Sequence, residues 1–181
     1  MDRKEFRIRD PNGGTSWINL LNSENVQLIN QKNYFTSNYV EEALIELYER
    51  FMLVATNKET LSMYKGQPVF ITGNDEIYLA GANDSVRFNV AGFVYTDFIN
   101  SNDQGLIKTE GIITNTIDNW NQIISDPLPD GLIEGQNYFL SLEYGKITTI
   151  APENSGQYLV PIGRALTKNH FKIDVDPAIG L

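Results

Sequence analysis

The sequence predicts a mainly β protein: an N-terminal extended anchor, a short coiled-coil-like helix, then an antiparallel β sandwich or barrel-like module. Three observations carry this. From Lys65 onward, short runs of alternating apolar and polar residues are divided by Gly, Asn and Asp, the pattern of strands separated by tight turns. One stretch alone, residues 38–54, repeats its apolar residues at helical spacing. Ahead of it lies a turn-rich segment with Pro11, Gly13 and Gly14.

Residues 1–36 read as an attachment segment, 37–56 as an oligomerising helix and 57–181 as an antiparallel β domain. Within the first, Glu5-Phe6-Arg7-Ile8-Arg9-Asp10 alternates as a strand does, and Asp10-Pro11-Asn12-Gly13-Gly14 is a strong turn signal. Ser16 to Leu21 is the candidate returning strand. A lone hairpin is marginal in water, so this region is expected to lean on something else.

The helix begins at Asn38, an N-cap residue with Glu41 three positions on, and Glu41 and Glu42 place negative charge at the positive end of the helix dipole. Val40, Leu44, Leu47, Phe51 and Val54 follow steps of four, three, four and three, the spacing of a coiled-coil seam. The same stripe would suit a helix lying on its own domain, and a helix this short needs one cover or the other.

In the β domain, candidate strands are residues 67–72, 76–80, 86–95, 106–114, 138–142, 146–150, 158–166 and 170–175. Leu142 to Lys146 reads as a hairpin turn with Gly145 at positive φ. Pro68 and Pro161 lie inside candidate strands, so an edge or a bulge is expected at each. Residues 123–135, with Pro127 and Pro129, are expected to be loop.

Composition narrows the function. The chain of 181 residues has a formal charge of −9, which opposes nucleic acid phosphates and anionic membranes, so neither is expected as a partner. It has no cysteine, which excludes disulfides, thiolate nucleophiles and thiolate metal sites. The charged start Met1 to Glu5 is unlike a signal peptide, and no apolar run reaches bilayer length. His170 is the sole histidine and no Gly-x-Ser-x-Gly elbow accompanies it, so it reads as a strand-end surface residue. Asn100 to Gly105 resembles the start of a calcium loop, but position twelve is Gly111 rather than Glu, so it reads as a solvated turn. The chain is therefore expected to be non-enzymatic, with no cofactor, no metal and no catalytic residue.

Several pieces of the β domain resemble a module of bacteriophage tail fibres, head fibres and related appendages. They are Tyr64-Lys65-Gly66-Gln67-Pro68-Val69-Phe70-Ile71-Thr72-Gly73, Val90-Ala91-Gly92-Phe93-Val94, and Ile107 to Thr114. Gly135 to Ser141, Gly145 to Pro152, and Tyr158-Leu159-Val160-Pro161-Ile162-Gly163-Arg164-Ala165-Leu166 complete the set. The helix Tyr39-Val40-Glu41-Glu42-Ala43-Leu44-Ile45-Glu46-Leu47 is similar to the element that leads into the module in that family. The resemblance implies a virion structural protein, a homotrimeric fibre or decoration on head or tail. Its helices would bundle through Val40, Leu44, Leu47, Phe51 and Val54, and residues 1–36 would meet other virion proteins. The alternative reading is a receptor-binding adhesin for a host-surface glycan, with Trp120 or Tyr144 as exposed aromatics. The expected location is the virion, after synthesis in a bacterial cytoplasm.

Overall fold

The computed structural model describes residues 5–9, 15–19, 51–127 and 129–181. The chain divides into two compact units, residues 1–50 and 51–181.

In the first unit, β1 (Glu5–Arg9) pairs antiparallel with β2 (Thr15–Asn19), Glu5 opposite Asn19 and Arg9 opposite Thr15. This is the hairpin expected on either side of the Pro11–Gly14 turn residues. The expected helix over residues 38–50 lies outside the described residues.

The second unit is mainly β and holds a closed barrel of five strands. They are β3 (Met52–Asn57), β5 (Pro68–Thr72), β6 (Glu76–Leu79), β7 (Gly92–Val94) and β9 (Gln104–Lys108). Around the barrel the order is β3-β6-β5-β7-β9, with β9 returning to β3. One junction departs from the expected all-antiparallel pattern: β3 runs parallel to β6, which closes the cylinder. Two short strands, β4 (Met63–Tyr64) and β8 (Phe98–Ile99), pair beside it. Ala55, Met63, Val69, Ile77, Val94, Ile99 and Ile107 fill the interior. Asn57 is fully buried here, and its amide donates to the Ile99 carbonyl at 2.8 Å and the Leu61 carbonyl at 3.0 Å. Its side-chain oxygen accepts from the Glu59 amide at 2.8 Å, so the buried amide group is satisfied.

A second sheet has the order β10-β15-β14-β11-β12. Its strands are β10 (Gly111–Thr114), β11 (Asn137–Leu140), β12 (Ile147–Thr148), β14 (Pro161–Ala165) and β15 (His170–Ile173). A further pair, β13 (Tyr158–Leu159) and β16 (Ile179–Gly180), stands apart from it. The seven-residue helix α1 (Ile117–Ile123) covers the sheet with Trp120 and Ile123, and Thr116 caps its start by accepting from the Asn119 amide. Phe171 is the hub of this core: its ring lies 5.5 Å from Phe93, and 5.9 Å from both Trp120 and Tyr138. Phe93 belongs to a barrel strand, so barrel and sheet share this core.

Several sequence expectations need correction. Residues 52–56, expected as the end of the helix, lie in the strand Met52–Asn57, because five residue pairs to β9 and an inward Ala55 reward extension there. Residues 86–89 form a turn rather than part of a strand over 86–95, since the Asp84 carboxylate accepts from the Val86 and Arg87 amides and closes it. The expected strand over 106–114 is two strands broken at Thr109 and Glu110, one in the barrel and one in the second sheet. Pro68 is neither at an edge nor at a bulge; it opens β5, where no ladder amide is missed. Pro161 opens β14 beside a register shift between Tyr138 and Phe139, as a bulge requires.

Candidate functional site

Of the residues expected to form the oligomerising seam, Val40, Leu44 and Leu47 lie outside the described residues. Phe51 is half-buried, helical in its backbone, and its carbonyl accepts from the Thr109 amide at 3.1 Å. Val54 stands in β3, not in a helix, and is 56% exposed. In β3 the side chains of Ala55 and Asn57 point inward, so the alternation turns Met52, Val54 and Thr56 outward. Their partners in register on β9 are Lys108, Leu106 and Gln104. Val54 therefore stands exposed on the outer face of the barrel, with the half-buried Met52 and Leu106 on the same face.

A polar cluster lies on the loop from β6 to β7. The Arg87 guanidinium reaches Glu59 Oε1 at 2.6 Å and lies 5.2 Å from the Tyr78 ring centre and 5.0 Å from that of Tyr144. The Phe70 ring, stacked on Tyr78, forms a third wall. Tyr144 Oη donates to Asp84 at 3.1 Å. The backbone amides of Val86 and Arg87 hold the Asp84 carboxyl below its usual range, and the hydrogen bond to Asp84 raises the Tyr144 phenol. These contacts tie Asp84 and Arg87 of the loop to Glu59, Tyr78 and Tyr144, so the cluster clamps the loop onto the barrel.

This clamp has a pH signature. Asp84 is lowered on folding, so its stabilisation is present at neutral pH and is lost as pH falls through the acidic range. Tyr144 is raised, so its share is present at neutral pH and is lost as pH climbs past the ordinary phenol range. Arg87→Ala is expected to lower the unfolding free energy by about 1–2 kcal/mol in urea titrations, from the lost ion pair and ring contacts. A change below about 0.5 kcal/mol, typical of a solvated surface site, would refute the clamp.

The loop after α1, expected from its prolines, is pinned rather than free-standing. Asp126 accepts from the Thr149 amide at 3.0 Å and the Thr149 hydroxyl at 2.8 Å, and Ser125 pairs with Ser141 at 2.9 Å. Tyr138 Oη accepts from the Ile133 amide at 3.0 Å, and burial raises its phenol.

Other residues singled out in the sequence fall as follows. His170 opens β15, exposed, with Nδ1 2.7 Å from the Thr167 hydroxyl. In the turn ahead of β9, the Asn100 side chain donates to Asp103 at 3.0 Å. Trp120 is fully buried, with its indole N–H donating to the Asn169 carbonyl, so it is unavailable as a glycan platform. Tyr144 is 44% exposed, but its ring and hydroxyl serve the Arg87 clamp.

Sequence reading missed a groove of about 360 Å³ on the outer face of the second sheet. Phe139 and Pro161 form its floor, and Asn137, Arg164, Lys172 and Asp174 its rim. The signal was the alternation in Asn137-Tyr138-Phe139-Leu140, which places Phe139 opposite the buried Tyr138 and Leu140. Among the described residues no group of acidic or histidine side chains is arranged to hold a metal ion, and no helix is long and apolar enough to cross a membrane.

Fold and site together define a mainly β protein whose barrel carries the exposed Val54 on its outer face and whose second sheet carries a polar-rimmed groove. No family model matches the chain, and no curated protein matches it as a relative.

Proposed function

We propose that this chain is a non-enzymatic structural protein of a bacteriophage particle, a homotrimeric fibre or decoration of head or tail. The observation that carries the reading is the exposed Val54, flanked on the outer face of the barrel by the half-buried Met52 and Leu106, at the end of the sequence stripe Val40, Leu44, Leu47 and Phe51. An exposed apolar residue that follows a heptad stripe in the sequence is what sister chains would cover. The virion assignment is supported by the fibre-like pieces from Tyr64 to Leu166, and residues 1–36 would supply the contact to other virion proteins. A second reading, an adhesin for a host-surface glycan, is favoured by the aromatic floor of the Phe139 groove.

Light scattering of the purified chain over a range of concentrations tests the assembly. The expected mass is three times the 20.5 kDa chain, independent of concentration. The double variant Leu44→Asp/Leu47→Asp is expected to shift that mass to the monomer while leaving the β-type circular dichroism intact. A monomeric parent chain, or an unchanged mass in the double variant, would overturn the trimer. Mass spectrometry of purified particles whose genome encodes the chain tests the virion assignment, which fails if the chain is missing from them.

A further inference from the structure

We propose that the groove on the outer face of β11, β14 and β15 is a binding subsite for a neutral saccharide, one uncharged pyranose of a longer glycan, seated on Phe139 and Pro161. The inference rests on the adhesin reading and gives that reading a location.

The floor follows from strand alternation. Tyr138 and Leu140 point into the core, at 1% and 0% exposure, so Asn137 and Phe139 face outward, with Phe139 half-buried. The bulge at Tyr138 and Phe139 sets Phe139 opposite Pro161, which joins ring and pyrrolidine into one apolar surface. An aromatic face is electron-rich and attracts polarised hydrogens, and the C–H face of a pyranose supplies them.

The rim supplies the polar half. Asn137 pairs in register with Arg164, and Arg164 with Lys172, so an amide and two cations line one side as a row of donors. Asp174 and Asp176 line the other side, held by hydrogen bonds from their amides to the Ile162 and Pro161 carbonyls at 3.1 and 3.0 Å. Sugar hydroxyls both donate and accept, so one ring can bridge the carboxylates and the donor row.

Charge selects the ligand class. The cations Arg164 and Lys172 are offset by the carboxylates Asp174 and Asp176, and Lys172 lies 3.7 Å from Asp174. A groove so balanced, on a chain of net charge −9, offers little pull to an anion. Arg164 and Lys172 are direct cross-strand neighbours, so their donors stand side by side on the outer face.

The test is a titration of the ¹⁵N-labelled full chain with D-galactose, N-acetyl-D-glucosamine and L-rhamnose, with D-glucuronate as the charged comparison. Saturable amide shifts are expected on 137–140, 162–164 and 172–176 for at least one neutral sugar, with Kd on the order of 1–10 mM, as a single small polar ligand allows. Phe139→Ala and Arg164→Ala should each weaken binding about tenfold, the scale of one ring contact or one charge-assisted hydrogen bond. Unchanged amide dispersion would show that each variant is folded, and Arg164→Ala decides the matter if Phe139→Ala is not. Sugar binding that maps elsewhere, or that either folded variant leaves unchanged, overturns the groove and leaves the adhesin reading standing. No shift with any neutral sugar overturns the groove; if an array of extended host glycans is also blank, the adhesin reading falls with it. Tighter binding of glucuronate than of the neutral sugars overturns the charge argument and with it the ligand class.

Discussion

Phe171→Ala is expected to lower the free energy of unfolding by about 3–5 kcal/mol, the range for deleting a large buried aromatic ring. The ring is fully buried and lies within 6 Å, centre to centre, of Phe93, Trp120 and Tyr138. These come from a barrel strand, the covering helix and the second sheet, so collapse of the cavity would need three elements to move together. Partial relaxation keeps the cost near the upper part of the range. Urea titration read by tryptophan fluorescence checks this, with Ile112→Ala on the exposed face of β10 as the control expected to change little. A loss under about 1 kcal/mol for Phe171→Ala would mean that the core repacks easily and that Phe171 is not its hub.

Gly163→Ala is expected to cost a comparable amount, about 2–6 kcal/mol, from backbone strain and overpacking together. Gly163 has φ of +144° between β11 and β15, and a Cβ added there would run into the Lys172 carbonyl oxygen and, at 2.9 Å, the Phe171 ring. The carbonyl is held by the sheet and cannot swing aside as the end of a flexible side chain would. Gly156→Ala separates the two contributions. Its φ is +85°, yet nothing lies within 4 Å of the added carbon, so it should show the conformational cost alone, about 1 kcal/mol. Equal losses in the two variants would show that the steric argument at Gly163 is wrong.

Much of the local structure is legible in particular residues. The Pro11 to Gly14 segment announces the β1–β2 hairpin, Gly73-Asn74-Asp75 separates β5 from β6, and Gly145 takes the φ of +70° that its hairpin needs. Other parts were hidden. Helix α1 has a cap at Thr116, an acidic first turn at Asp118 and the spacing of Trp120 and Ile123, but seven residues are too few for periodicity to stand out. At Met52–Asn57 the heptad steps through Phe51 and Val54 suggested helix, whereas the choice of strand depended on β9, some fifty residues downstream. The groove was equally hidden, because Asn137 and Phe139 on β11 are separated along the chain by two strands from Arg164 on β14, and from Lys172 and Asp174 in and just after β15.

By itself the sequence determined the mainly β class, the places where the chain turns and, through alternation, the faces of strands such as β11 and β15. Those features follow from φ restrictions and side-chain direction, which act over a few residues. Only the tertiary structure decided which strands are neighbours: the parallel β3–β6 pair that closes the barrel, and the break at Thr109 and Glu110 that sends β9 and β10 to different sheets. It also turned Val54 to the surface and gathered the Phe139 groove. The physical reason is that a strand's hydrogen-bonding groups accept any extended partner, so pairing is settled by burial summed over the whole unit, with distant residues such as Phe93 and Phe171 brought into one core.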